Sequence, residues 1–550
     1  MSKTVCLVVL DGWGLAAPGP GNAVSLANIV NMNKYWSTYP HTQLGAAGEA
    51  VGLPKGESGN TETGHLNLGA GRIVYQDLAR INKSIADGSF YKNQTILDAI
   101  EHARKNNSNL HIMGLIGAGG VHSNIEHLFA LLNMVKNNNF PRLYLHLFTD
   151  GRDSPPTSSL TYIDKLINVI NQLEIGTIAS VMGRYFAMDR DRRWDRIGKA
   201  YFALTKGEGL TARSIDDAIQ ISYSQSKTDE FIEPTLITDS QGKPLSLIKD
   251  NDAVIYYNFR IDRPRELTAA FIVKDFNNDS LALDFDPYLE KYEKTNLASR
   301  VSIKPKVFDR GTPLKNLFFA TMTEYSQTLK EAGAKDIFGP EVIDMPLARV
   351  ISEAKLKQLH ISESEKERFV TYYFNGLNED PYLGETRIIV PSPKVPTYDE
   401  RPEMSAREIT EKLLDFLKAK GDISFILVNF ANTDMVGHTG SIGPAIKACE
   451  VVDECVGKIA DYLNDKDAVL LITADHGNVE EMIKIKTGKI DTEHSTNPVP
   501  FIVVSPKLAN NAKILPIGIL ADIAPTILKL LGLTVPPAMT GKNLLETLSI

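Results

Sequence analysis

The sequence predicts an α/β protein of mostly parallel sheets, in which one α/β domain is inserted into another. Two observations carry this expectation. Short β-rich runs alternate with longer helical patterns along all 550 residues, which is the signature of α/β layers. The residues that follow the strands also fall into two chemical groups. One group is acidic and histidine-rich and lies toward both ends of the chain. The other is arginine-rich and lies between them.

The elements support this in chain order. TVCLVVL (4–10) is an apolar run of strand length, and a helical pattern follows at 94–105. NLHIMGLIG (109–117), RLYLHLF (142–148), IGTIASVM (175–182) and DAVIYYNF (252–259) read as strands, with helical patterns at 124–138 and 157–173. SFILVNFA (424–431), DAVLLITA (467–474) and PVPFIVVS (498–505) are the later strands, beside helical patterns at 405–420, 444–463 and 520–532. There is no internal repeat and no low-complexity tract. Crossings between the two domains are expected near Gln76 and in the Pro/Gly/Lys-containing stretch Lys304–Lys315. This gives a discontinuous domain of residues 1–76 and 312–550 and an inserted domain of 77–311.

Composition bounds the function. Hydrophobic residues are 43% and charged residues 23%, as in ordinary soluble proteins. A net charge of -8 argues against nucleic acid as a partner. It does not argue against an anionic small molecule, because a local arginine cluster outweighs an acidic average. Cys6, Cys449 and Cys455 form no CxxC pair, so neither a disulfide framework nor a zinc ribbon is expected, and a reducing cytoplasm fits. Val5–Leu10 is too short for a secretory core, and no stretch has the length of a membrane span. A cytoplasmic monomer is the expectation.

Ligands of open α/β sheets gather beyond the carboxyl ends of the strands. There the acidic group offers Asp11, Asp434, His438, Asp475 and His476, joined by Thr61 and His494. Carboxylate with imidazole suits Mn2+, Zn2+ or a similar ion better than Mg2+, and two such ions can clamp a phosphoryl group. Each residue alone reads more simply as a turn, a cap or a satisfied polar group; their joint delivery by three strands gives the functional reading. The loop SGNTETGHLNLGAG (58–71) opens into a helix, and a helix start is a phosphate seat. Thr61 in it is either a nucleophile activated by metal or a plain N-cap. On the loop alone the two readings stand equal. In the middle of the chain, Arg152, Arg184, Arg190, Arg260 and Arg263, with His122 and Asp153, imply a ligand with more than one anionic group. The bland alternative is a solvated surface, and it suits most of MDRDRRWDR (188–196).

Taken together, LDGWG (10–14), GNTETGHLNLGAGRIVYQ (59–76), GGVHS (119–123), DGRD (150–153), GRY (183–185), MDRDRRWDR (188–196), YNFRIDR (257–263), SPKVPTYD (392–399), PEMSA (402–406), NTDMVGH (432–438), TADHGN (473–478) and EHSTNPVP (493–500) closely resemble the cofactor-independent phosphoglycerate mutases of the alkaline phosphatase superfamily. The resemblance runs nearly end to end and in order. It implies an alkaline-phosphatase-like sheet domain with an inserted substrate domain. It also implies interconversion of 3-phosphoglycerate and 2-phosphoglycerate with no bisphosphoglycerate primer. One divalent ion would be held by Asp434, His438 and His494, and the other by Asp11, Asp475, His476 and Thr61. Mn2+ is the expected metal, with Mg2+, Co2+ and Zn2+ as alternatives. His122, Arg152, Asp153, Arg184 and Arg190 resemble the glycerate side of the pocket, and Arg260 and Arg263 the phosphate grip. SESEK (362–366) resembles a motif whose lysine approaches the phosphoryl group, which singles out Lys366 and, less firmly, Glu365.

The chain departs from the family at Thr61, where serine is usual; the threonine keeps the hydroxyl and adds a stiffening methyl group. Phosphopentomutases carry threonine before TGH in a similar loop and are the alternative reading. A sulfatase would need a CxPxR motif, which surrounds none of the cysteines. A non-catalytic relative would be expected to have lost ligands, and all seven positions hold competent residues. In the mechanism implied, Thr61 takes and returns the phosphoryl group, Asp153 serves as acid and then base, and domain closure excludes water. Activity should fall on mild acidification, because ligand imidazoles must be neutral. The region 275–315 looks longer than in many bacterial members.

Overall fold

A computed structural model describes residues 4–117, 119–276, 307–420, 422–466, 468–484 and 487–548. It contains two compact units, Met1–Gln76 with Glu341–Ile550, and Asp77–Pro340. Most of the long 275–315 stretch, residues 277–306, lies outside the described residues. The α/β class with two mostly parallel sheets is as expected.

In the first unit, eight strands run in the order Glu385–Val390, Gln358–Glu363, Phe425–Phe430, Val5–Leu10, Val469–Thr473, Val499–Val504, His41–Gly45, Gly518–Ile519. All pairings are parallel except those of Val499–Val504. The inner strands are apolar at nearly every position because helices cover both faces of a parallel sheet; every residue of Val5–Leu10 is buried. Helices Ala406–Lys420 and Ile442–Asn464 supply part of that cover. The register decides what happens at the edge. Val5 pairs with Phe425 and Leu10 with Phe430, while Val5 also pairs with Val469 and Val9 with Thr473. These three strands therefore end level, and Asp11, Asn432–Asp434 and Asp475–His476 leave the sheet together.

The second unit orders its strands Lys335–Phe338, Phe318–Thr323, Ala253–Tyr256, Leu110–Ile116, Leu143–Thr149, Thr177–Gly183, Thr235–Ile237, Leu210–Ala212. Only the pairing of Thr177–Gly183 with Thr235–Ile237 is antiparallel. A line of buried polar side chains crosses this sheet. Asp252 meets His111 Nε2 at 3.2 Å, His111 Nδ1 meets His146 Nε2 at 3.0 Å, and His146 Nδ1 meets Ser180 Oγ at 2.8 Å. Ile116 pairs with Thr149 and Thr149 with Gly183, so GGVHS, DGRD and GRY emerge at a common edge.

The second crossing corrects the sequence expectation. The chain returns to the first unit at Glu341, not within Lys304–Lys315. The reason lies in two short strands. Phe318–Thr323 pairs with Ala253–Tyr256, and Lys335–Phe338 pairs with Phe318–Thr323, so both extend the inserted sheet. Their brevity and mixed polarity hide them from a periodicity reading. The cysteines are free and buried, and no helix of the described residues is long and apolar enough to cross a membrane.

Candidate metal centre and arginine cluster

Helix Thr61–Ala70 presents the hydroxyl at the centre of the first site. Its N-cap is Asn60, whose side chain accepts from Thr63 N at 2.9 Å. The capping reading of Thr61 is thereby removed. Thr61 is the first helical residue, is buried, and turns its Oγ1 into a polar cluster. That oxygen lies 3.0 Å from His476 Nε2, 3.4 Å from Asp11 Oδ1 and 2.9 Å from Lys366 Nζ.

All the acidic and histidine candidates converge here. Ligand atoms of Asp11, Asp475 and His476 lie within 4.8 Å of one another, as do those of Asp434, His476 and His494. His438 joins the second set through Nε2, 3.2 Å from Asp434 Oδ1 and 3.0 Å from His494 Nε2. His494 Nε2 is itself 3.1 Å from Asp434 Oδ1. His476 thus stands between the two sets, where the resemblance had given it to one only.

The donor chemistry fits divalent cations. His438 Nδ1 faces Thr492 O at 2.7 Å, His494 Nδ1 faces Gly59 O at 2.8 Å, and His476 Nδ1 faces Gly477 O at 3.2 Å. A carbonyl oxygen only accepts, so each Nδ1 carries a proton and each Nε2 points inward, where a metal ion would displace any proton it holds. Backbone-oriented imidazoles of this kind are what metal sites use. Two Nε2 lone pairs and a carboxylate oxygen facing one another within 3.2 Å call for a shared positive charge.

The electrostatics agree. Burial works against ionising Asp434, yet Lys366 and the imidazoles of His438 and His494 hold its carboxyl well below the usual range. Burial also opposes a charged His476, but Asp475, Asp11 and Asp434 push it up to about 10. The same field that draws a proton draws a metal ion, and the two compete for the ligand nitrogens. Lys366 Nζ sits 2.9 Å from Asp11 Oδ1 and 2.7 Å from Asp434 Oδ2. Burial pulls its pKa down, but those carboxylates lift it above the ordinary lysine range, so it remains an ammonium.

The second unit gathers the arginines. Arg184 is buried, and its Nη1 donates to Asp150 at 2.5 Å and to Asp153 at 2.6 Å. Arg152 Nε donates to Glu230 at 2.7 Å, and Asp262 accepts from Arg190 at 3.0 Å and from Arg260 at 3.1 Å. Arg263 Nη1 donates to Met188 O at 3.1 Å. His122 lies 3.7 Å from both Asp153 and Asp262; burial and then Arg184 hold it down at about 4, against the pull of the two aspartates. Arg152, Arg184, Arg190, Arg193, Arg196 and Arg263 line one cleft of about 140 Å3. Most of the run 188–196 is exposed, as the sequence suggested, Arg193 included; Arg196 is half-buried and stacks 3.7 Å over Tyr185. Glu365, the weaker candidate, accepts from the Tyr398 hydroxyl at 3.0 Å.

Sequence reasoning missed the supporting polar residues. His65 Nδ1 donates to Thr61 O at 3.0 Å and approaches Asp475 Oδ2 at 3.3 Å. Its Nε2 accepts from Asn429 Nδ2 at 3.1 Å, and that same amide donates to Asp11 Oδ2 at 2.8 Å. Asn478 Nδ2 donates to Asp434 Oδ1 at 3.2 Å. His65 follows Thr61 by one helical turn, a signal that was available. Asn429 lies within an apolar strand and gave none.

Comparison with known proteins accords with this geometry. Residues 81–327 match the family model described as BPG-independent PGAM N-terminus, and residues 358–533 match the model described as Sulfatase. The 2,3-bisphosphoglycerate-independent phosphoglycerate mutase of Chloroflexus aggregans is 48% identical, over 99% of this chain and 98% of its own. That of Moorella thermoacetica is 45% identical, over 99% of each. A crystal structure of Leishmania mexicana phosphoglycerate mutase, described as being at low cobalt concentration, aligns with a TM-score of 0.54 at 30% identity, over 98% of this chain and 97% of that one. The chain belongs to the 2,3-bisphosphoglycerate-independent phosphoglycerate mutases.

Proposed function

We propose that this enzyme interconverts 3-phosphoglycerate and 2-phosphoglycerate through a phosphothreonine at Thr61, with Asp11, Asp475 and His476 holding one divalent ion and Asp434, His438 and His494 the other. The observation that carries the reading is the position of Thr61 Oγ1, buried beside both ligand sets and 2.9 Å from Lys366 Nζ. Family membership implies divalent metal ions and a small-molecule substrate. Mn2+ is the ion proposed, because the set mixes imidazole with carboxylate.

Bound ions would supply positive charge that eases ionisation of the hydroxyl and offsets the charge of the phosphoryl oxygens. The Lys366 ammonium donates to Thr61 Oγ1, stabilises its anionic form, and then serves the transferred group. In the first half-reaction the Thr61 Oγ1–P bond forms as the ester O–P bond of the substrate breaks. Thr61 gives its proton to solvent, and the departing glycerate oxygen gains one from Asp153. The second half reverses this at the other glycerate hydroxyl, with Asp153 as base. Arg152, Arg184 and Arg190, with His122, hold the glycerate carboxylate and hydroxyls, while Arg260 and Arg263 grip phosphate. A cytoplasmic monomer with no nucleic-acid partner completes the proposal.

A coupled assay on 3-phosphoglycerate, ribose 1-phosphate and a generic phosphate ester, with Mn2+ and then with chelator, tests it. Activity should be confined to 3-phosphoglycerate and lost on chelation. Thr61→Ser should retain turnover and Thr61→Ala should abolish it, and a quenched reaction should yield a Thr61 phosphopeptide by mass spectrometry. An active Thr61→Ala protein would overturn the nucleophile assignment. Full activity in metal-free protein would overturn the two-ion scheme.

A further inference from the structure

Two glycines in the motifs above have no role in the ligand sets. A Cβ on Gly14, in LDGWG, would meet Glu480 Cδ at 2.2 Å, and one on Gly477, in TADHGN, would meet Glu480 Oε1 at 2.4 Å. Both backbones are bare so that one carboxylate can reach them. Glu480 is 3% exposed and lies just beyond the TADHGN motif.

Its two oxygens serve three separate segments. Oε2 accepts from Gly14 N at 2.9 Å and from Asn478 N at 2.8 Å. Oε1 accepts from the Ser495 hydroxyl and from Asn497 Nδ2 at 3.0 Å. Asp11 lies on the first segment, Asp475 and His476 on the second, and His494 on the third. Among the described residues no lysine or arginine pairs with Glu480, so hydrogen bonds to these segments are what hold its charge.

We propose that Glu480 is the positioning residue of the metal centre, the tie that sets the Asp11, Asp475–His476 and His494 segments in register. It touches neither Thr61 nor a ligand atom and acts through the backbone of the residues beside them. This deepens the two-ion reading and rests on it. The chemistry of the tie is specific. Four donors need four acceptor sites, which only a carboxylate of this length supplies. Glutamine can keep its carbonyl oxygen on the two backbone N–H groups and turn its amide toward Ser495, whose hydroxyl can rotate to accept. It would then oppose Asn497 only. Aspartate is one methylene too short to reach all three segments, and alanine reaches none.

The test measures Mn2+ binding by calorimetry on purified metal-free protein, together with kcat, KM for 3-phosphoglycerate and thermal unfolding. Glu480→Ala and Glu480→Asp should weaken Mn2+ binding by about 10-fold or more, the range for residues that orient ligands. They should lower kcat at saturating substrate and leave KM unchanged. Glu480→Gln should fall between them and the parent. Asp453→Asn is the structural control: Asp453 is equally buried and accepts from Asn31 N and Met32 N, which belong to none of the three ligand segments, so that variant should lose thermal stability and keep Mn2+ affinity. If Glu480→Ala does not fold, Glu480→Gln, of nearly the same volume, carries the comparison. Parent-like Mn2+ affinity in Glu480 variants that merely melt earlier would overturn the proposal. A parent enzyme that binds no Mn2+ would instead overturn the metal-site reading beneath it.

Discussion

Lys366 shows how much a single residue can decide. Its ammonium is buried between Asp11 and Asp434 and also reaches Thr61. Removing one partner of a buried charge cluster leaves the others uncompensated, at a cost of about 3–5 kcal/mol. Lys366→Met should therefore destabilise the metal-free protein by about that amount and much less with Mn2+ present, because ions supply the missing charge. Urea unfolding with chelator and with Mn2+ measures this; equal losses in both would contradict the shared-charge account. The residues that converge around Thr61 were legible in the sequence because carboxylate and imidazole at strand ends are chemically conspicuous. Asn429 and Glu480 were not. Each is an ordinary polar residue by type, and only its partners across the fold reveal what it holds.

At the scale of elements, the helix Thr61–Ala70 is buried on nearly every side, so it has no amphipathic period by which to find it. It carries Gly64 and Gly69, residues that cost a helix about 0.5–1 kcal/mol each relative to alanine. Packing explains them: a Cβ on Gly64 would meet Asp475 Cβ at 2.6 Å, and one on Gly69 would meet Phe374 O at 2.0 Å. The helix is pressed against the site at the expense of its own propensity. Its start is fixed by Asn60, so Asn60→Ala should cost about 1 kcal/mol of stability and lower kcat as Thr61 loses its fixed approach. Asn60→Ser, which still caps, should restore both. A kcat unchanged in Asn60→Ala would mean that packing alone positions the hydroxyl. The helices Gln94–Lys105, Ile125–Asn137, Ser159–Leu173, Ala406–Lys420 and Ile442–Asn464 and the central strands of each sheet were read correctly because burial on one or both faces imposes a strong pattern; the helix Trp194–Lys206 and the strand Gln358–Glu363 were not. The edge strand Lys335–Phe338 and its neighbour Phe318–Thr323 were missed, and with them the second crossing.

For the whole molecule, the two units should respond to different solution variables. The proposed metal ligands lie in the first unit, so Mn2+ should raise its unfolding temperature by mass action and leave the second unit's transition in place, as calorimetry would reveal. The second unit buries neutral histidines. Desolvation holds His127 at about 4 and His146 well below the usual value. The unfolded chain takes up protons near pH 6.5 that the folded unit refuses until about pH 4 at His127. Stability should be full above pH 6.5 and fall as pH drops toward 4, by up to about 3 kcal/mol from His127 alone. Urea midpoints across this window test it, and His127→Gln should flatten the slope. The sequence by itself determined the α/β class, the sign of charge at each sheet edge and which residue types gather there, because hydrophobic period and side-chain chemistry are local properties. Which side chains meet, where the chain re-enters the first unit, and that Asn60 rather than Thr61 caps the helix were decided only by tertiary structure, because strand register and close backbone approach join residues hundreds of positions apart.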